Sequence, residues 1–445
     1  MIFRTRRAWP VKTCIAAGLS LALGSAAAQT ATEVALAARL DQLAAELSVV
    51  RAQLAAMQQA RPAAAPAALS QAQPQPEPAR AAASAEPSPV AAPAGPATAL
   101  TSYGEINFSR PFRATANAAP AQMDMRRFVL GFQHRFDDKT KVVAELEVEH
   151  SVTSASDPGE VAVEQAYVER QLTPSLALRA GLFLMPVGLL NENHEPTAFY
   201  GVERNQVETR IIPSTWREGG AQLLGQFDNG LTAQAGISTG FDLTKWNAAA
   251  SGGRDAPLAS VHQELALAKS RDMALFGAVN WRGLPGLLIG GSLFSGQATH
   301  GQAAAQARIS LWDLHARWTP GRWDVSALVT RASISNTAAL NAPLVGHPTL
   351  IPARFDGYYL QAAYKLWSRQ EQSLSPFARW ERLNTAAAYA DLGPGLTPEA
   401  GRPERVLTLG ANYHWTAGVV LKADVQRFVD NADLNRLNLG LGWSF

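Results

Sequence analysis

The chain has 445 residues, 39 basic and 37 acidic side chains, and one cysteine. Residues 1–28 hold four of the basic residues and none of the acidic ones, so the remainder carries 35 against 37, a balance near minus two that lacks the positive footprint of a nucleic-acid binder. That remainder has no cysteine, which excludes disulfides and thiol chemistry, and no apolar run of the roughly 18 residues that marks a spanning helix, which excludes a helical inner-membrane protein.

Residues 1–28 read as a secretory signal peptide. Arg4, Arg6, Arg7 and Lys12 form a basic start, Cys14 to Leu23 an apolar core too short to span a bilayer, and Ser25 to Ala28 a small-residue cleavage region. Cys14 is not a lipoprotein cysteine, because Lys12 and Thr13 precede it where small and apolar residues are required. The expected destination is the periplasm or the outer membrane.

Residues 29–60 carry a heptad pattern. Leu36, Leu40, Leu43, Leu47, Val50, Leu54 and Met57 alternate spacings of four and three, with Glu46 and Arg51 at flanking positions that suit an interhelical pair. A lone helix of this length is marginal in water, so the pattern predicts a coiled coil with partner helices, although a helix packed on its own protein shows the same stripe. Residues 61–99 are dominated by Ala and Pro and cannot bury a core, which predicts an extended linker reaching on the order of 100 Å at about 3.1 Å per residue.

From residue 100 onward the pattern is all-β. Val142, Ala144, Leu146 and Val148 face away from Glu145, Glu147 and Glu149, and Leu176, Leu178, Ala180, Leu182 and Leu184 face away from Arg179. Trp312, Leu314, Ala316 and Trp318 lie opposite Asp313, His315 and Arg317; Tyr358, Leu360, Ala362, Tyr364 and Leu366 opposite Gln361 and Lys365; Val419, Leu421, Ala423 and Val425 opposite Lys422, Asp424 and Gln426. Tight turns at 228–230, 319–321 and 415–418 alternate with longer polar stretches at 244–261, 336–354 and 383–403. Short turns at one rim and long loops at the other predict a transmembrane antiparallel β-barrel over residues 100–445, and the roughly 20 to 24 residues taken by a strand and its share of loop put the count at about 16. A barrel of that size encloses an aqueous channel. Trp281, Trp318, Trp323, Tyr358, Trp367, Trp380, Trp415 and Trp443 fall near strand ends, as interface girdles do.

The closing strand is the clearest of all. Leu437, Leu439, Leu441, Trp443 and Phe445 alternate with Asn438, Gly440, Gly442 and Ser444, one greasy face backed by a small polar one. An edge strand of a soluble sandwich would alternate in the same way. A terminal aromatic strand also resembles the signal read by the outer-membrane barrel-assembly machinery.

One segment does not repeat. After the strand ending near Leu184, Gly181, Phe183, Pro186 and Gly188 form a G-x-F-x-x-P-x-G exit; Asn191, Glu192, Asn193, His194 and Glu195 follow; and Ile212, Pro213, Ser214, Trp216, Glu218 and Gly220 form an I-P-S-x-W-x-E-x-G re-entry. These motifs resemble those of the phosphate-selective porins of the O and P type. The resemblance implies a homotrimer of sixteen-stranded barrels, each pore narrowed by inward-folding loops, with arginines stacked down the channel. Its implied partners are outer-membrane lipid, the barrel-assembly machinery and small hydrophilic solutes, possible anions such as phosphate among them.

Candidate pore-lining residues follow from register and loop position. Arg127, Arg179, Arg317, Lys365 and Lys422 fall on lumen faces; Arg204, Arg210 and Arg217 lie in or beside the long loop, where they either contact solute or pin the loop to wall carboxylates. Glu145, Glu147 and Glu149, stacked on one lumen face, depart from an anion channel and would repel anions unless arginines on adjacent strands pair with them. His194 and Glu195 lack a third ligand at usable spacing for a metal, and no cofactor is implied. No G-x-S-x-G elbow, H-E-x-x-H helix or phosphate-binding glycine loop occurs, so catalysis is not expected. The competing reading is an outer-membrane anchor tethering the periplasmic coiled coil to the cell wall or a partner complex.

Overall fold

The computed structural model describes Ala45 and residues 97–113, 120–303 and 305–445, and the expected signal peptide, heptads and most of the linker lie outside these described residues. The strands are β1 (Ala97–Pro111), β2 (Gln122–Arg135), β3 (Thr140–Glu149), β4 (Glu160–Thr173), β5 (Leu176–Leu184), β6 (Arg217–Gln226), β7 (Leu231–Ser238), β8 (Ala274–Leu284) and β9 (Leu287–Gln297). The chain continues through β10 (Arg308–Trp318), β11 (Trp323–Ile334), β12 (Arg354–Tyr364), β13 (Trp367–Arg369), β14 (Gln372–Ala388), β15 (Glu404–Thr416), β16 (Val419–Phe428) and β17 (Arg436–Ser444). Short β13 prolongs β12 along the same neighbour, β14, so the segments make sixteen staves, each antiparallel to the next.

The sheet closes on itself. β17 pairs with β1 from Tyr103↔Ser444 to Pro111↔Arg436, and β1 pairs on its other side with β2. Closure leaves no edge, the condition under which every strand amide finds a partner without water. β1 begins at Ala97, so the last three positions of the expected linker, 97–99, are strand; opposite Arg135, His134 and Gln133 they complete a ladder even though Ala and Thr contribute little apolar surface. Similarly, β14 runs to Ala388 beside Arg354, and the loop expected from residue 383 starts later.

The two faces are reversed relative to a water-soluble barrel. On β10, Leu314 is 59% exposed on the outside, whereas Asp313 is 1% exposed on the inside. Exposed Leu360, Leu409, Leu421, Leu439 and Leu441 repeat the rule around the wall, as do exposed Trp318, Trp323, Trp367 and Trp415 near the turn rim. Turns at 136–139, 174–175, 227–230, 285–286, 319–322, 370–371 and 417–418 make one rim, and longer connections make the other.

Inside, near the loop rim, the connections 185–216, 239–273 and 335–353 cover an apolar core. Trp216 stacks on Phe241 with ring centroids 4.9 Å apart, and Phe294 meets both rings at 4.9 and 5.3 Å. Ile309, Leu311, Leu328, Phe355 and Leu383 line the wall against it.

Candidate functional site

The non-repeating segment forms the inward loop, and its motif residues build the path. Gly181 sits at φ +136°, and a Cβ there would come within 2.3 Å of the Ala166 carbonyl oxygen. Gly188, at φ +76°, turns the chain into the lumen, where a Cβ would meet the Glu208 carboxylate at 2.4 Å. Asn191 ties the loop's ends together: its side chain accepts from the Trp216 amide at 2.8 Å and donates to the Met185 and Trp216 carbonyls, each at 2.8 Å. Buried Glu218 accepts from the Trp216 indole at 3.1 Å and from the Thr239 hydroxyl at 2.5 Å. These residues are geometric, holding exit and re-entry side by side.

From there the loop crosses to strands all around the wall. The Gly188 amide donates to Asp313 on β10 at 3.2 Å, the Gln206 amide to Glu381 on β14 at 2.5 Å, and the Val202 amide to Asp424 on β16 at 2.6 Å. Asn412 on β15 donates to the Phe199 carbonyl at 2.9 Å, and Thr197 lies 2.7 Å from the Ser444 hydroxyl. His194 meets Glu164 on β4 at 2.6 Å and the Tyr103 hydroxyl on β1 at 2.7 Å, while Tyr103 itself donates to Glu164 at 2.6 Å. Lumen-phase strand residues unremarked in the sequence, namely Tyr103, Glu164, Tyr359, Arg379 and Glu381, supply much of this frame. Their signal was the polar half of the alternation on β1, β4, β12 and β14.

The candidate pore residues divide by location. Arg127 bonds Glu105 at 2.9 Å and Glu147 at 3.4 Å, and Arg217 lies 4.0 Å from Glu147 and 3.0 Å from Glu264, so the middle of the carboxylate row stands between two arginines. Burial alone would raise the Glu264 carboxyl, but His262 and Arg217 hold it below its ordinary value. Glu145 accepts from Gln165 at 2.5 Å, and Glu149 stands opposite Arg127 in the β2–β3 ladder.

The loop arginines turn toward protein partners. Arg204 donates to Ser214 and, at 3.0 Å, to the His194 carbonyl; burial, with Arg127 nearby, lowers its guanidinium to about 10. Arg210 grips Glu404 with two bonds of 2.8 and 2.9 Å. Lys422 is buried with its ammonium 3.5 Å over the Phe199 ring.

Nearer the turn rim, Arg179 stacks on Tyr167 at 4.3 Å and shares Glu169 with Lys141, at 2.8 and 2.9 Å. Arg317 holds Asp324 through bonds of 2.9 and 2.6 Å, and exposed Lys365 has no ion pair among the described residues. The loop shows this space Glu192, Asn193 and Glu195, all exposed. A Ser, Asp and His do converge, but Ser292 donates to Asp313, which also meets His315 at 2.5 Å, so the hydroxyl is bonded to the carboxylate and not to the imidazole as in a nucleophilic triad. Width and wall charge are what this arrangement offers a solute.

No protein-family model matches the chain. An uncharacterized protein of Aquifex aeolicus (strain VF5) is 30% identical over 357 residues, 78% of this chain and 79% of its own. Among solved structures, OmpF of Salmonella typhi, in complex with daunomycin, is similar with a TM-score of 0.54 and 11% identity, over 78% of this chain and 97% of its own. An anion-selective porin from Comamonas acidovorans is similar with a TM-score of 0.50 and 11% identity, over 79% of this chain and all of its own. Both likenesses are of fold, the fold of outer-membrane porins.

Proposed function

Because the chain belongs to the family of the uncharacterized Aquifex aeolicus protein and carries the porin fold, we propose that it is an outer-membrane channel for passive diffusion of small hydrophilic solutes. The observation that carries this reading is the inversion of faces: an apolar exterior on every side of a closed barrel, around charged and hydrogen-bonded residues. In this reading the short turns face the periplasm, the long loops face outward, and residues 1–96 supply the secretion signal, the coiled coil and its tether. The protomers assemble as a homotrimer, as the resemblance of the loop motifs implies.

Selectivity in this reading is a weak preference for anions, phosphate included. Two cations share Glu169, Arg317 is matched by Asp324, and Lys365 adds a positive charge at the turn mouth, whereas Glu192 and Glu195 on the loop oppose it. Liposomes containing the purified protein should swell in small sugars and in salts of small anions, with reversal potentials showing chloride modestly favoured over potassium. Impermeable liposomes would refute the channel, and a potassium preference would refute the anion assignment.

A second reading has its own support. The loop bonds to strands around the whole circumference, as a plug would, and an anchor for the periplasmic coiled coil needs no open path. Impermeable liposomes would favour it.

A further inference from the structure

On six neighbouring staves an outward position at the loop rim carries arginine: Arg308 on β10, Arg331 on β11, Arg354 on β12, Arg382 on β14, Arg405 on β15 and Arg427 on β16. Their outward direction follows from their neighbours, since Ile309, Thr330, Phe355, Glu381 and Val406 are fully buried toward the lumen. Few carboxylates answer them. Asp356 is shared by Arg331 at 3.7 Å and Arg382 at 3.8 Å, and Asp430 pairs with Arg405 at 2.6 Å. Arg308, Arg354 and Arg427 have no ion pair among the described residues.

Two further features point to an anion. Arg382 stands directly opposite Arg405 in the β14–β15 ladder; Asp430 answers Arg405, but Arg382 shares Asp356 with Arg331, so two guanidiniums stand against a single carboxylate. Beside it, a recess of about 410 Å³ opens on the outer wall, where Arg331, Arg354 and Arg382 surround the single acid Asp356, with Trp312 and Tyr358 alongside. Two or three outward positions further toward the turn rim lie Leu314, Leu360 and Leu409, all about half exposed. On β4, β7 and β8, outward residues near the same rim are Val161, Ile237 and Leu275, so the arginines do not run around the whole rim.

We propose that this arc is a binding surface for the phosphate groups of an acylated phosphoglycolipid in the outer leaflet. Guanidinium forks take phosphate oxygens in pairs, the aromatic residues lie at the headgroup boundary, and the acyl chains run down the leucines. The assignment rests on the reading of the chain as an outer-membrane barrel with its long loops outward.

The test uses full-length protein in detergent, with diphosphoryl lipid A as probe and native mass spectrometry as readout. Wild-type protein should retain the lipid. Arg331→Gln combined with Arg354→Gln and Arg382→Gln should weaken retention at least tenfold, and Arg282→Gln at the turn rim should not change it. The dephosphorylated lipid should bind at least tenfold more weakly, and millimolar inorganic phosphate should not displace the intact one. Equal retention by wild type and triple variant would overturn the assignment, and displacement by inorganic phosphate would make the arc a free-anion site instead of a lipid site. Conductance separates the two readings: protein that conducts but binds no lipid refutes the arc alone, whereas protein that binds lipid without conducting refutes the channel alone.

Discussion

The hydroxyl of Tyr359, on the barrel wall, donates to the Glu208 carboxylate of the inward loop at 2.9 Å. The same carboxylate accepts from the Leu189 and Leu190 amides at 2.6 and 2.9 Å and from Asn205 at 2.9 Å, so one buried acid fastens both limbs of the loop to the wall. Tyr359→Phe should cost about 1–3 kcal/mol of loop attachment, the usual penalty for an unmet buried group, and Glu208→Ala, which strands several donors, should cost more. Limited proteolysis between 189 and 214 would reveal the released loop. A Glu208→Ala loop as resistant as wild type would show that the anchor lies elsewhere.

Buried and rim ion pairs should separate cleanly in stability. Arg127→Met leaves Glu105 and Glu147 without their shared cation inside the barrel and should destabilise by about 3–5 kcal/mol. Arg317→Met breaks a pair whose arginine is 36% exposed and should cost under about 1 kcal/mol. Denaturant titration in micelles, followed by tryptophan fluorescence, gives both values; similar losses would contradict the burial assigned to Arg127.

The phase of the wall is open to direct test on adjacent residues. Leu360 points outward and Gln361 toward the lumen, so Leu360→Arg should lower stability by about 2–4 kcal/mol if it lies near the bilayer midplane, while Gln361→Arg changes mainly ion flow. Folding yield into lipid vesicles reports the first, and current at fixed voltage the second. Tolerance of Leu360→Arg together with failure of Gln361→Arg would invert the faces.

The seam depends on the last residue. The Phe445 amide donates to the Ser102 carbonyl at 2.9 Å, and the Ser102 amide to the Phe445 carbonyl at 3.0 Å, completing the β1–β17 ladder. Deleting Phe445 should lower the fraction of folded, heat-modifiable barrel while leaving secretion intact. An undiminished fraction on gels run without boiling would show that closure does not need it.

The wall was legible because its rule is local. Leu439 and Leu441 face out and Asn438 faces in by simple alternation, and the turns at Gly230 and Gly321 announce themselves by residue type. The inner apolar core was not legible, because Ile309 and Leu311 look in sequence like lipid-facing residues although a loop covers them. At the end of β5, Leu182, Phe183 and Leu184 are all buried, and alternation fails as a guide to exposure. The loop is visible as a motif, but Arg210 finds Glu404 across nearly two hundred residues of chain, a pairing that no spacing rule encodes. Pairing of Glu147 with Arg127 was similarly conditional until the ladder put β2 beside β3.

A conducting barrel narrowed by its inward loop should respond when that loop is loosened. The most direct measurement is single-channel recording in planar bilayers of the full-length wild type beside the Glu208→Ala variant, with Tyr359→Phe as the milder control for folding. The wild type should give discrete ohmic steps, and the steps should become larger and noisier as the loop is loosened in the order Tyr359→Phe, then Glu208→Ala. Silent bilayers from correctly folded wild-type protein would contradict the channel, and identical step sizes in all three would contradict the loop as its constriction.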